Sequence, residues 1–252
     1  MVYSLTSESF INALKRIVGR RGRVADIYCD NALTFVGANR LLQESKQDFD
    51  KMHSSDELGT HCADNGIVFH FNPARSPHFG GLWEAAVKSF KHHLYRVMQT
   101  TVLNIDDFNT LLIQVEAVMN SRPLTPRSSE PDDVVALTPG HFIVGEPLVS
   151  LPEVDISELP INRLNSFQQM QQRVQHFWQA WSRDYIGQLQ NRKKWPVVRP
   201  NISEGTLVLM KQDNAPPLSW KLGRIEKIFP GDDGRVRVVT VKTAKNSYRR
   251  VQ

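Results

Sequence analysis

Two carboxylates, Asp30 and Glu84, stand where a metal-dependent reaction on a phosphate group would need them. Asp30 follows the short apolar run 24–29, which is typical of a buried strand, and Glu84 lies in the first turn of a predicted helix. If that helix packs across the sheet, the two side chains converge, and paired carboxylates bind Mg²⁺ or Mn²⁺ for phosphoryl displacement. Any α/β domain contains such pairs, so two solvated acids are the alternative interpretation.

Two lysines, Lys88 and Lys91, share a helix face with Glu84, because they follow it by four and seven residues. Beside a metal site these lysines could bind a phosphate backbone. The alternative is a routine surface pair, since Glu and Lys four residues apart stabilise many exposed helices.

The sequence pattern of the N-terminal half predicts a strand–helix–strand unit, and hence an α/β fold, that would position these residues. Apolar residues at helical spacing and short apolar runs bounded by turn residues carry this prediction. The predicted elements are a helix over 7–20, strands over 24–29 and 67–71, a polar and loosely helical stretch over 39–62, a loop rich in proline and glycine over 72–81, and helices that begin near residues 82 and 106.

The C-terminal half predicts a different architecture. Residues 123–160 contain seven prolines and predict an extended linker. An apolar repeat of three to four residues predicts a long helix over 164–191, and alternation after residue 196 predicts a small antiparallel barrel of four or five strands.

Three tryptophans in this half allow two interpretations each. Trp178 and Trp181 lie on the apolar stripe of the long helix, where intramolecular packing is the first interpretation and a partner surface is the second. Trp220 in the predicted barrel is expected to fill its core, and a base-stacking platform is the alternative.

Charge is distributed unevenly along the 252 residues. The chain has 31 Lys and Arg against 26 Asp and Glu, but residues 151–252 alone have 17 against 9. The run Arg192, Lys193 and Lys194 precedes the predicted barrel. A basic C-terminal part favours a polyanionic partner, most simply a nucleic acid, and a solvated basic surface would produce the same counts.

Cysteine and histidine usage argues against several other classes of protein. Cys29 and Cys62 cannot build a disulfide framework or a cysteine-rich zinc site, and they fit a reducing, intracellular compartment. His92 and His93 have no acid or cysteine at metal-ligand spacing, so they are predicted to be solvent-exposed or loop histidines rather than metal ligands. The sequence contains no signal peptide and no apolar run of about 18 residues, so no membrane partner is expected.

Two longer strings carry more information than spacing alone. Residues 30–38 (DNALTFVGA) resemble the second-aspartate motif of retroelement integrases, and residues 71–88 (FNPARSPHFGGLWEAAVK) resemble their glutamate motif in the form typical of BEL/Pao retrotransposons. Residues 116–126 and 137–142 continue this resemblance. The C-terminal part is similar to the domain of unknown function that follows the core in BEL/Pao polyproteins.

The resemblance implies a ribonuclease H-like core that uses two Mg²⁺ or Mn²⁺ ions to process DNA ends and join them to target DNA, through a triad of Asp, Asp and Glu. Asp30 and Glu84 match the last two members, which implies catalytic and metal-binding roles. Lys88 and Lys91 match positions where the family has lysines that contact DNA. DNA is therefore the implied partner, the nucleus the implied location and a homo-oligomer the implied assembly, with no small-molecule substrate.

The implied organisation has three parts. Residues 1–125 are a partial, N-terminally truncated ribonuclease H-like core, residues 126–161 are a proline-rich linker, and residues 162–252 are a domain with a long helix and a basic, SH3-like antiparallel β-barrel. In this last part Arg192, Lys193 and Lys194 are expected to bind DNA.

One departure from the family decides what activity is expected. Only 29 residues precede Asp30, and the strand that carries the first Asp of the triad is not among them. Asp26 lies in the same strand as Asp30 and does not match the motif. A two-metal site needs the bridging carboxylate, so we expect an integrase fragment that is catalytically incomplete, with marginal solubility from an unpaired sheet edge. The alternative is a non-enzymatic module that binds DNA, chromatin or a protein partner.

Overall fold

The described part of the chain, in a computed structural model, separates into two units, Met1–Phe90 and Lys91–Gln252. The structure describes residues 2–52, 66–73, 77–99, 101–130, 132–189, 201–212 and 214–251. The first unit holds α1 (Ser7–Arg21), β1 (Asp26–Cys29), α2 (Leu33–Met52), β2 (Val68–Phe71) and the start of α3 (Gly81–Met98). The second holds the end of α3, α4 (Ile105–Asn120), β3 (Thr125–Pro126), β4 (Ala136–Leu137), α5 (Pro139–Val144), α6 (Ser166–Leu189), β5 (Leu207–Met210), β6 (Lys221–Pro230), β7 (Val236–Lys242) and β8 (Ser247–Val251).

The first unit is built on a parallel pair of strands. β1 and β2 pair in register, with Ile27 opposite Phe69 and Cys29 opposite Phe71, and α2 lies between them in the chain. Parallel strands run in the same direction, so the chain must return to the starting end of the sheet between them. A short hairpin cannot do this, and a crossover helix can. The mixed α/β fold predicted from the sequence is therefore confirmed for this unit.

Helices α1 and α2 pack closely in the first unit. Phe10 of α1 meets Phe35 of α2 edge to face, with ring centroids 5.0 Å apart, and its ring also lies 6.4 Å from that of Phe69 in β2. Gly37 allows the close approach, because a Cβ there would collide with the Ser7 hydroxyl, which donates to the Thr34 carbonyl at 3.0 Å. The helices thus cover the face of the strands that carries Phe69.

The second unit is organised around Trp220. Its ring packs against Trp178, Trp181 and Tyr185 of α6, with centroids 4.7, 6.0 and 5.7 Å away, and its Nε1–H donates to the Ser121 hydroxyl at 3.0 Å. Trp178 and Trp181 are only 3% and 4% exposed. Packing is therefore the right interpretation of the α6 stripe, and the alternative of a partner surface at these two tryptophans is wrong.

The C-terminal strands form an open antiparallel sheet in the order β5-β6-β7-β8. Its buried face is apolar, with Met210, Ile225, Val236, Val239 and Val241 in one cluster. The described strands do not close into a barrel, and Trp220 packs on α6 rather than filling a barrel core. The four-stranded sheet is confirmed, while the closed barrel is not.

The proline-rich segment contacts its surroundings along its length. Proline has no N–H, so a proline-rich segment has few backbone donors of its own. Side chains that pack against the segment must supply donors for its carbonyls. The buried Gln172 amide donates to the carbonyls of Ile156 and Leu159, and the Gln175 amide donates to that of Val154. Within the described residues this segment is thus held against α6; the domain boundaries at 125 and 161 stay predictions.

Arg224 holds the loop between β3 and β4 against the sheet. Its guanidinium is buried and donates to the carbonyls of Asp133, Gly205 and Ser128 at 2.8, 2.8 and 2.7 Å. Beside it, the Lys242 ammonium binds the Asp132 carboxylate at 2.8 Å. The loop therefore depends on donors from β6 and β7.

We predict that Arg224→Met destabilises the protein by about 3 kcal/mol, because three carbonyls lose the charged donor that holds them. The free energy of unfolding from urea titration is the measurement. Arg237→Met is the matched control, since Arg237 is exposed and its ion pair is with Asp233, four residues earlier in the chain. It should change stability by less than about 0.5 kcal/mol. Equal losses in the two variants would contradict this role of Arg224.

We also predict acid sensitivity from Asp133. The Val135 N–H, and then the Ser128 hydroxyl, hold the pKa of Asp133 below its usual range. A lowered pKa contributes stability that is present above the unfolded value of 3.8 and is lost as the pH falls through the folded value. The urea midpoint of Asp133→Asn should therefore fall less than that of the unmodified chain between about pH 5 and about pH 2.5. Parallel curves would contradict the prediction.

Candidate functional site

Asp30 lies at the carboxyl end of the parallel strand pair. Its side chain is exposed, and its Oδ1 accepts the Ala32 N–H at 2.9 Å, which turns the chain into α2. The neighbouring Asn31 amide donates to the Asn72 carbonyl at 2.8 Å, and the Asn72 N–H donates to the Cys29 carbonyl at 2.9 Å. The ends of the two strands are thus tied together immediately beside Asp30.

Cys29 is buried next to this carboxylate. Burial, and then the negative charge of Asp30, raises the pKa of the Cys29 thiol. A raised pKa keeps the sulfur in its unreactive thiol form, so Cys29 is a packing residue and not a nucleophile.

Glu84 lies in the first turn of α3, as the sequence predicted. The short 3₁₀ turn Pro77–Gly80 leads directly into the helix, and Glu84 is exposed. A Cβ on Gly80 would meet the Glu84 Oε1 at 2.5 Å, so the carboxylate folds back over this glycine. Glycine at position 80 therefore makes room for the carboxylate.

The sequence predicts that Asp30 and Glu84 bind metal ions together. Within the described residues, neither carboxylate belongs to a group of three clustered side chains that could bind a metal ion. Two Mg²⁺ ions require carboxylates that bridge and flank them. Both carboxylates are exposed, and their roles in metal binding and catalysis stay predictions.

Asp26 is engaged elsewhere. Its Oδ1 lies 2.7 Å from the Nε2 of His70 on β2, and the His70 ring stacks on Tyr28, with centroids 4.5 Å apart and 13° between the planes. The three side chains lie on one face of the strand pair, and Tyr28 is 66% exposed. This arrangement agrees with the sequence-based exclusion of Asp26 from the triad.

The predicted DNA-binding residues have different outcomes. Lys88 and Lys91 are both exposed on α3, where their charges are accessible to a ligand. Arg192, Lys193 and Lys194 lie outside the described residues, so their role stays a prediction.

The outer face of the C-terminal sheet combines cations with aromatic rings. Lys227, Thr240 and Arg249 are cross-strand neighbours on β6, β7 and β8, and their side chains point away from the buried face. The Arg249 guanidinium lies 4.4 Å and the Lys227 ammonium 5.5 Å from the centre of the Phe229 ring. We call Lys227, Phe229 and Arg249 the outer basic face.

Sequence reasoning did not single out the outer basic face, although a signal was present. Alternation along β6 places Ile228 toward the core and its neighbours Lys227 and Phe229 outward. Which outward residues meet across strands depends on register, and a bulge between Ile225 and Lys227 shifts that register by one residue.

A second group missed by the sequence lies in the second unit. His93 is 2% exposed, which corrects the prediction that it faces solvent, and its Nε2 lies 3.3 Å from a carboxylate oxygen of Asp184 on α6. Burial lowers the pKa of His93, while the charge of Asp184 opposes that shift. His92 is exposed, as predicted. The partner acid is 91 positions away in the chain, so local spacing could not reveal it.

None of the described helices combines the length and the apolar character needed to cross a bilayer. No curated protein matches the chain. Residues 165–252, which comprise α6 and the C-terminal sheet, match a family of unknown function (DUF5641).

Proposed function

We propose that this protein binds nucleic acid and derives from a BEL/Pao-type retrotransposon integrase, with a ribonuclease H-like core that is catalytically incomplete in these 252 residues. The observation that carries the binding function is the outer basic face, where two exposed cations flank an aromatic ring. The ancestral role would be DNA integration, in which Asp30 and Glu84 are two of three acids that bind Mg²⁺ or Mn²⁺.

The first unit supports the integrase ancestry by its topology. A parallel pair of strands joined by a crossover helix delivers Asp30 to its carboxyl end. Loops at this end of parallel strands are the usual place for a site in α/β proteins. The two motif strings fall on either side of β2, which agrees with the order of the integrase motifs along the chain.

The charge of the second unit supports a nucleic-acid partner. Lys227 and Arg249 are exposed on the same face of the C-terminal sheet. Lysine and arginine bind backbone phosphates, and the Phe229 ring holds both cations on this face through cation–π contacts. The nucleus is the location that follows for a DNA-binding protein of this origin.

The competing proposal of a protein-interaction module loses its main support. It rested on Trp178 and Trp181 as an exposed stripe, and both side chains are buried against Trp220. DNA or chromatin binding without catalysis remains consistent with the outer basic face.

We predict that Lys227→Gln together with Arg249→Gln weakens binding to duplex DNA. Affinities from fluorescence anisotropy at several salt concentrations give the slope of log affinity against log salt. This slope should be smaller by the contribution of about two phosphate contacts, because each contact releases counterions. Arg237→Gln is the control, since this exposed arginine of the same sheet is already paired with Asp233. A double variant with the affinity and salt slope of the unmodified chain would contradict the proposed interface.

We predict that the chain does not join a labelled DNA end to a target duplex in Mn²⁺, and that Glu84→Gln changes nothing. A longer chain that adds an upstream segment with the first Asp should join DNA, and Glu84→Gln in that longer chain should abolish joining. Lys88→Gln provides a second comparison, because loss of a DNA contact should reduce joining without abolishing it. Joining by the present chain that depends on Glu84 would contradict the incomplete site.

A further inference from the structure

His92, His93 and Asp184 form a cluster that the function proposed above does not use. Each offers one ligand atom, and the three atoms lie within 4.8 Å of one another. His92 and His93 are neighbours near the end of α3, and Asp184 is on α6, so the cluster joins two helices of the second unit. His93 is buried, whereas His92 and Asp184 are exposed.

The separation of His93 and Asp184 is unusual for a simple hydrogen bond. The His93 Nε2 and the Asp184 oxygen are 3.3 Å apart, whereas the His70 Nε2 and the Asp26 oxygen in the first unit are 2.7 Å apart. Bonds between imidazole and an ionised carboxylate are normally about 2.7–2.9 Å long. The longer distance matches the edge of a zinc tetrahedron, which is about 3.3 Å when each bond is about 2.0–2.1 Å.

His93 is also incompletely satisfied as a core residue. Its Nδ1 is buried and has no hydrogen-bond partner in the described part of the chain. The ring packs edge to face on Phe177, with centroids 5.8 Å apart, so packing fixes its position. Packing therefore holds the Nε2 atom, which faces Asp184, in place; the unpartnered Nδ1 is the other ring nitrogen and is not a proposed ligand atom.

The exposed members of the cluster can complete the coordination. Two tetrahedral donors on one ion with bonds of about 2.1 Å are about 3.4 Å apart, so ligand atoms that lie within 4.8 Å of one another reach this geometry with a shift of at most about 1.4 Å. His92 lies on the surface and can make this shift by a small side-chain rotation. Solvent can then supply a fourth ligand from the exposed side.

We propose that His92, His93 and Asp184 bind a divalent transition-metal ion, with Zn²⁺ as the expected ion and water in the fourth position. Two imidazoles and one carboxylate suit Zn²⁺ or Co²⁺, whereas Mg²⁺ prefers an all-oxygen shell. The ion would join α3 to α6 inside the second unit. This site is independent of Asp30 and Glu84, so it can stand whether or not the proposed function does.

One neighbouring charge makes a specific test possible. Arg96 follows His92 by four residues on α3, and its positive charge acts on His93. A metal cation placed beside His93 would be repelled by this charge. Removal of the charge in Arg96→Gln should therefore tighten binding of Zn²⁺.

The experiment is a titration of the full, chelator-treated chain with Zn²⁺ by calorimetry and with Co²⁺ by visible absorption. We expect one equivalent of Zn²⁺ and the intense absorption of four-coordinate Co²⁺. His92→Ala and Asp184→Asn should each weaken binding by at least about tenfold, and Arg96→Gln should strengthen it. Both weakening substitutions are at exposed positions, and circular dichroism checks that the variants are folded.

Two control variants test whether the ion binds at this cluster and not elsewhere. His176→Ala removes an exposed histidine of α6 outside the cluster, and Cys62→Ser removes the thiol outside the described residues. Both variants should bind Zn²⁺ with unchanged affinity. Zn²⁺ should also raise the unfolding temperature of the unmodified chain and not that of Asp184→Asn, because only the folded site binds the ion. Absence of binding, unchanged affinity in His92→Ala and Asp184→Asn, or loss of binding in either control would overturn the proposal.

Discussion

The packing of Trp220 against α6 is the interaction on which the second unit depends. This ring leads into β6, contacts three aromatic side chains of α6 and donates to Ser121 at the end of α4. Trp178 donates from its own indole to the Ala215 carbonyl, just before β6. Large aromatic rings bury much apolar surface and still satisfy their polar atoms, so one cluster holds together elements from distant parts of the sequence.

The packing of Trp220 against α6 also explains how the proline-rich segment 123–160 is held in place. A proline-rich segment cannot form a regular ladder of backbone hydrogen bonds. Its carbonyls therefore need other donors where they are shielded from water. Long polar side chains supply them: the Gln172 and Gln175 amides from α6, and the Arg224 guanidinium from β6. Because α6 and β6 are fixed to each other by Trp220, their donors hold two different stretches of the segment, 154–159 and 128–133.

Periodicity in the sequence predicted the elements better than it predicted their partners. The helix expected over 164–191 is Ser166–Leu189, because a long apolar repeat interrupted by no proline has few alternatives. The start of α2 at Leu33 was missed, because the motif after Asp30 has no clear apolar period. The His93–Asp184 pair and the open sheet could not be predicted, since both depend on contacts between residues far apart in the chain.

The outer basic face and the carboxylates Asp30 and Glu84 lie on separate structural supports in this chain. The outer basic face is fixed by the core of the C-terminal sheet, where Ile225, Val239 and Val241 are buried on the opposite side of the same strands. Asp30 and Glu84 belong to the first unit and are exposed at the ends of its elements. The buried cluster of the C-terminal sheet contains no residue of the first unit. Under the proposed function, the nucleic-acid surface is therefore independent of the proposed catalytic site, because the core that fixes the outer basic face contains neither Asp30 nor Glu84.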